Sequence, residues 1–285
     1  MAKAQDIKRR IKSIGNTMQL TRAMKMVSSA KLRRAQQRIL AARPYSERTL
    51  AILRSVASRA NPELNPLLQT HGNERVEVVV LTGDKGLCGA FNANIVRRAH
   101  TLVQELGRRA IRVTAIGKRG RDYFNRIGAK VTASWTDVFR DVQFPLAAEI
   151  ADGLIERYAN REVDEIYLAF NGFKSAIQAY VTVGRLLPIE PLTLEEENIH
   201  EDYIYEPAPQ DLLASLLPHY VQQLVFRALL ESVAAEHAAR MTAMESATKN
   251  AGELIEALTL TMNRVRQASI TTEIIEVVSG AEALG

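Results

Sequence analysis

Apolar and small residues fall at Thr248, Ala251, Ile255, Leu258, Met262 and Val265, at alternating spacings of three and four. This is a heptad seam, half of a coiled coil, and it needs a partner helix to cover it. From Gln210 to Leu284 there is no proline after Pro218, and only Gly252 interrupts the stretch before Gly280. It reads as one helix of about 70 residues, a rod of roughly 105 Å. A second seam opens the chain. Ile7, Ile11, Ile14 and Met18 repeat at four, three and four, on a helix expected from Ala2 to about Arg59. Thr21, Lys25 and Ser28 then occupy the same seam, so the apolar stripe is expected to drift towards Leu20, Met24 and Val27. Pro44 is expected to bend or weaken this helix, and Asn61-Pro62 and Asn65-Pro66 to end it.

Between the two helices the period changes. Val76–Leu81 reads as a buried strand, Asn92–Leu106 as a helix and Arg112–Ile116 as a second strand. A short helix from Lys118 to Ile127 is closed by Gly128, and Phe144–Tyr158 forms another with Pro145 in its first turn. Glu165–Phe170 and Ala179–Leu187 complete the strands. This alternation predicts a small, mostly parallel, Rossmann-like α/β sheet. Glu195-Glu196-Glu197 lies in an acidic linker, and Pro209 is placed to start the long helix.

Two seams at opposite ends of one chain are most simply satisfied by each other. The expected fold is therefore α/β, with a long antiparallel coiled coil of N- and C-terminal helices and the α/β module inserted between them. The expected segments are residues 1–60, 61–208 and 209–285. Ala234, Ala235, Ala238, Ala239 and Ala251 would let the helix backbones approach closely. The C-terminal arm exceeds the N-terminal arm by roughly 15 residues, so its tip should run on alone for about 20 Å.

Composition narrows the function. Of 285 residues, 47% are hydrophobic and 24% charged, ordinary values for a folded soluble chain. Cys88 is the only cysteine, so an intrachain disulfide is excluded. The five histidines have no metal-ligand spacing, and no metal or cofactor is expected. There is no apolar run of the ~20 residues that span a bilayer, and the start lacks the apolar core of a secretory signal; the chain is expected to be mature and cytosolic. Net charge is +5, but residues 1–60 carry fifteen Lys and Arg against Asp6 and Glu47, a net of +13. The remainder has 22 basic and 30 acidic residues, a net of −8. An acidic partner is implied, whether nucleic acid, anionic lipid or protein.

The best candidate for chemistry is the glycine-rich loop Gly83–Gly89, between a strand and a helix start, where a phosphate would be cradled. Its glycines run G-x-x-G-x-x-G, without the dinucleotide or P-loop pattern. A close-packing turn is the preferred reading, and a nucleotide-binding enzyme using this loop the alternative. Cys88 reads as a packed thiol, since no histidine neighbours it in sequence and Asp84 opposes a thiolate. A coiled-coil DNA-binding protein is the other alternative, but it leaves the long C-terminal helix unexplained.

Several stretches resemble one family closely. Ala4–Ile11, Asn16-Thr17, Thr21–Val27, Gly86–Gly89, Tyr203–Pro207, Arg240–Met244 and above all Arg266–Ala281 look like the γ subunit of bacterial F-type ATP synthases. The resemblance implies a rotor. The coiled coil would be an asymmetric shaft inside a ring of three α and three β subunits. The α/β domain would be its foot, against the ε subunit and the c-ring, peripheral to the cytoplasmic face of the cell membrane. Proton flow would turn it and drive ATP synthesis in β, with no catalytic residue, cofactor or nucleic-acid partner of its own.

By the same resemblance, Arg266, Gln267 and Thr271 match shaft positions that engage a β loop. Glu273 and Arg240 match polar coupling positions, and Met24 a position near the acidic loop of β. The sequence lacks the cysteine-bearing insert of the chloroplast form. Thr82–Lys85 also departs from the Ser-Asp-Arg run frequent in the family.

Overall fold

The computed structural model describes residues 2–57, 65–107, 109–175, 179–189 and 208–282. The first helix, α1, spans Ala2–Ala57 and runs unbroken through Pro44. The last, α5, spans Pro209–Glu282, with Pro209 at its start as expected. The proline pairs expected to end α1 lie in or beside residues 58–64, and Glu195-Glu196-Glu197 and Tyr203–Pro207 in residues 190–207. Residues 58–64 and 190–207 are outside the described residues.

The chain divides into two compact units, Met1–Ser29 with Arg240–Gly285, and Ala30–Ala239. In the first, α1 and α5 face each other through Thr21 and Thr248, whose hydroxyls lie 2.7 Å apart, and through Lys25 and Glu245 at 2.6 Å. As the number on one helix rises, its partner's falls, so the pair is antiparallel. Carrying that register along the seam aligns Met18 with Ala251, Ile14 with Ile255, Ile11 with Leu258 and Ile7 with Met262. All eight are half-buried.

The seam does not drift. Leu20 is 66% exposed and Val27 57%, and of the three expected positions only Met24 is half-buried, while Thr21 and Ser28 are buried and Lys25 half-buried. Each polar side chain that would have pushed the stripe aside has a reason to stay. Thr21 bonds Thr248, Lys25 reaches Glu245 at the rim, and Ser28 is small enough for close approach. Cross-helix hydrogen bonds thus override the apolar pattern.

The second unit holds a five-stranded sheet of order β3-β2-β1-β4-β5. Its strands are β1 (Arg75–Leu81), β2 (Ala110–Ile116), β3 (Lys130–Trp135), β4 (Glu165–Phe173) and β5 (Ala179–Leu187). The first four are mutually parallel, and β5 runs antiparallel to β4. β1 is central and buried on both faces from Val76 to Leu81, a run that is apolar except for Glu77. The edge strand β3 is an addition to the expected elements. Its alternating Lys-Val-Thr-Ala-Ser-Trp buries only Val131, Ala133 and Trp135 in part, too weak a signal to stand out in sequence.

Helices α2 (Phe91–Glu105) and α3 (Lys118–Arg126) close one face over Val76, Val78 and Val80. The other face carries Val79 and Leu81 into a core shared with α4 (Phe144–Ala159), Leu53 and Val56 of α1, and Leu213, Leu217, Val221 and Val225 of α5. A buried ion pair joins α4 to the sheet. Glu77 is fully buried, bonded by Arg157 at 2.8 and 2.9 Å and by the Thr114 hydroxyl. A buried carboxylate is tolerated because these donors replace its water.

Candidate functional site: a closed glycine loop and an exposed shaft

Strand order 3-2-1-4 puts a topological switch point between β1 and β4, and in open α/β sheets ligands gather beyond the strand ends there. The glycine-rich loop leaves the end of β1 at that place. One of its amides and both of its nearest carboxylates are already committed to other work. Gly83 N donates to Asn92 Oδ1 at 2.8 Å, and Asn92 Nδ2 returns to Lys85 O at 3.2 Å. The Asp84 carboxylate accepts from Lys118 N at 2.8 Å and from Asp137 N at 3.0 Å, so it caps the start of α3 where an anion would bind. A side chain on Gly83 would meet Glu236 Oε1 of α5 at 2.8 Å. A phosphate entering here would displace its donors' present acceptors and face two carboxylates.

The loop is instead a packing joint. Thr82, fully buried, donates its hydroxyl to Ile116 O at 3.2 Å and accepts from Gly120 N at 2.8 Å. Gly117, at φ +97°, passes so close that an added Cβ would sit 1.9 Å from Thr82 O. Cys88 is 2% exposed, its sulfur 3.2 Å from Asn92 Nδ2. Among the described residues no cluster of three or more His, Cys, Asp or Glu is placed to hold a metal.

The shaft residues are arranged differently. Met24 on α1 and Arg240 on α5 are half-buried, whereas Arg266, Gln267, Thr271 and Glu273 are all exposed on α5. The Thr271 hydroxyl donates to Gln267 O at 2.9 Å, one turn back. Arg266 and Glu273, seven residues apart, share a helix face, with Gln267 and Thr271 on the adjoining one. From Arg240 to Arg266 is about 39 Å along a helix. The six residues therefore lie at two levels of one helix pair, not in a single cleft.

Extending the register places Ala2 opposite residue 267, and α5 continues beyond it. Residues 270–279 are all exposed, including Ile274 at 58%, Ile275 at 59%, Val277 at 72% and Val278 at 53%. Four large apolar side chains on a bare helix end require a covering partner. Lys25 and Glu245 were missed as a pair in sequence, because only the folded register brings residues 220 positions apart together.

The α/β unit has its own electrostatic lock. Asp164 accepts from Arg75 Nη2 at 2.6 Å and from the Glu74 and Arg75 amides at 3.1 and 2.9 Å. The Arg75 guanidinium, then those amides, hold its carboxyl below the usual range. His71, its ring tilted against that of Tyr158 at 4.8 Å, has its pKa lowered by burial and by Arg161. Burial pushes the Tyr158 hydroxyl up to about 12.

Comparison with known proteins agrees with this arrangement. Residues 3–284 match the family model described as ATP synthase. The ATP synthase gamma chain of Desulforamulus reducens is 48% identical over the full length of both chains. That of Solibacter usitatus is 51% identical over 98% of each. This chain belongs to the ATP synthase gamma-chain family. Among solved structures, a chain from the central stalk and c-ring of the Tetrahymena thermophila mitochondrial ATP synthase is 28% identical. It matches at a TM-score of 0.62, over 80% of this gamma chain and 99% of that chain. A chain of the Euglena gracilis mitochondrial ATP synthase shares the fold at a TM-score of 0.71 and 17% identity, covering 99% of this gamma chain and 95% of that one.

Proposed function

We propose that this gamma chain is the central-stalk rotor of an F-type ATP synthase, coupling ion flow through the membrane sector to ATP synthesis without catalytic chemistry of its own. The observation that carries this is the likeness across 99% of a Tetrahymena chain belonging to a central stalk and c-ring. Its partners are the α and β subunits, three of each, the ε subunit and the c-ring. None of the described helices is long and apolar enough to cross a membrane. In this reading its attachment is through these partners, at the cytoplasmic face.

The chemistry of the helix pair fits such a part. A rotor biases three like sites only if it contacts each differently, because differential contact is what shifts a conformational equilibrium. Arg266, Gln267, Thr271 and Glu273 form one level of contact with β, and Met24 and Arg240 the other. Hydrogen bonds from an ionised group such as Arg266 contribute about 1.5–3 kcal/mol each. That suits a catch that must break in every turn. The bare end of α5 would turn in an apolar sleeve. The carboxylates of Asp84 and Glu236 at the glycine loop weigh against the nucleotide-binding alternative.

Reconstitution tests the proposal. Proteoliposomes holding the other subunits should make ATP from a proton gradient only when this chain is added, while the chain alone neither hydrolyses ATP nor binds it tightly. Synthesis at the same rate without it would end the proposal.

A further inference from the structure

On the α2 side of the sheet lies a cavity of about 460 Å³ that the rotor role does not use. Asn94, Arg97, Arg98 and Thr101 of α2 line one wall, and the register neighbours Asn171 of β4 and Val181 of β5 its floor. Among the described residues no carboxylate lines it. Arg98 is engaged by Glu105 at 3.1 Å, whereas Arg97 is exposed and makes no ion pair among the described residues. Asn171 is only 3% exposed, and its buried amide nitrogen meets no acceptor among the described residues. An unpaired buried donor is uncommon in native cores and asks for a partner.

We propose that this cavity binds a small tetrahedral oxyanion of the phosphate class. Arg97 supplies the charge and a planar fork of donors that matches such an anion. Asn171 supplies a neutral donor from the floor. Its amide turns towards the cavity about a terminal torsion whose well is broad. Asn94 adds an exposed amide at the rim. The Thr101 hydroxyl already donates to Arg97 O at 3.0 Å, so it contributes shape and not a further donor. Occupancy would tie α2 to the β4–β5 hairpin. The site is independent of the shaft contacts, so its failure would leave the rotor role untouched.

Titration of the full-length chain with inorganic phosphate, at constant ionic strength, tests the site through side-chain amide NMR. The Asn171 amide pair is identified by its disappearance in Asn171→Ser. It should shift saturably with phosphate and not with chloride. Arg97→Gln, an exposed change that leaves the fold alone, should weaken binding about tenfold or more. An Asn171 signal that does not move, moves equally with chloride, or responds to phosphate equally in Arg97→Gln would overturn the proposal.

Discussion

The Thr21 and Thr248 hydroxyls, 2.7 Å apart, join two helices at residues 227 positions apart in sequence. Each hydroxyl has a single proton, which goes either to its own helix or to its partner: Thr21 lies 3.0 Å from Met18 O and Thr248 2.7 Å from Met244 O. Thr21→Val should destabilise the helix pair by about 1 kcal/mol, since it leaves a part-buried hydroxyl with one bond fewer. Thr21→Val with Thr248→Val should recover part of that loss. Amide hydrogen exchange in residues 2–29 and 240–265 would show it; strictly additive losses would mean the two hydroxyls are not coupled.

In the α/β unit, Glu77 depends on Arg157. Arg157→Ala would strand a fully buried carboxylate and should cost about 3–5 kcal/mol, read by denaturant unfolding. Adding Glu77→Leu should restore most of it. If Arg157→Ala alone costs less than about 1 kcal/mol, the pair is not what satisfies Glu77.

Gly117 cannot accept a side chain. Gly117→Ala places a Cβ 1.9 Å from Thr82 O at a φ of +97°, so the β2–α3 turn must move. We expect a loss above about 3 kcal/mol, the range of strain and overpacking together. A melting temperature within a degree or two of the parent would contradict it.

Acid should loosen this unit in two stages. His71 has a lowered folded pKa, so the unfolded chain binds its proton first and stability falls as pH drops below about 6.5. Asp164 is also lowered; its contribution is complete above the unfolded value near 3.8 and is lost as pH falls through the folded one. His71→Phe should flatten the first stage and leave the second. A pH–stability curve unchanged by that substitution would show that His71 does not carry it.

How much of this was legible in the sequence depended on where each signal lay. Heptad spacing made α1 and α5 readable, and the unbroken Val-Val-Val-Leu of β1 marked a central strand. The polar part of the seam was not readable. Thr21, Lys25 and Ser28 look like reasons for the stripe to move until Thr248 and Glu245 stand opposite. β3 was missed because an edge strand needs only three half-buried residues. The glycine loop was legible as a turn, but its closure was not. Asp84, which weighed there only against a Cys88 thiolate, caps α3 and Asp137, and Glu236 arrives from a helix 153 positions beyond Gly83. The six shaft residues came from resemblance, and their separation into two levels emerged only with the helix register.

At the shaft, replacing Arg266 and Gln267 together by Ala should lower coupled synthesis more than it lowers assembly. Both side chains are exposed in the chain itself, so the helix pair should fold unchanged. Loss of several-fold in rate fits one or two charge-assisted bonds of about 1.5–3 kcal/mol that form in only part of the cycle. Synthesis and assembly that stay together, both intact or both lost, would remove these residues as a catch.

The most direct measurement is of rotation itself. A probe fixed to the α/β domain of this chain is observed in a complex held to a surface by its catalytic ring and supplied with ATP. A rotor predicts that the probe turns in one direction, in three equal steps per revolution, and stops when ATP is withdrawn. A probe that stays still while ATP is hydrolysed would contradict it.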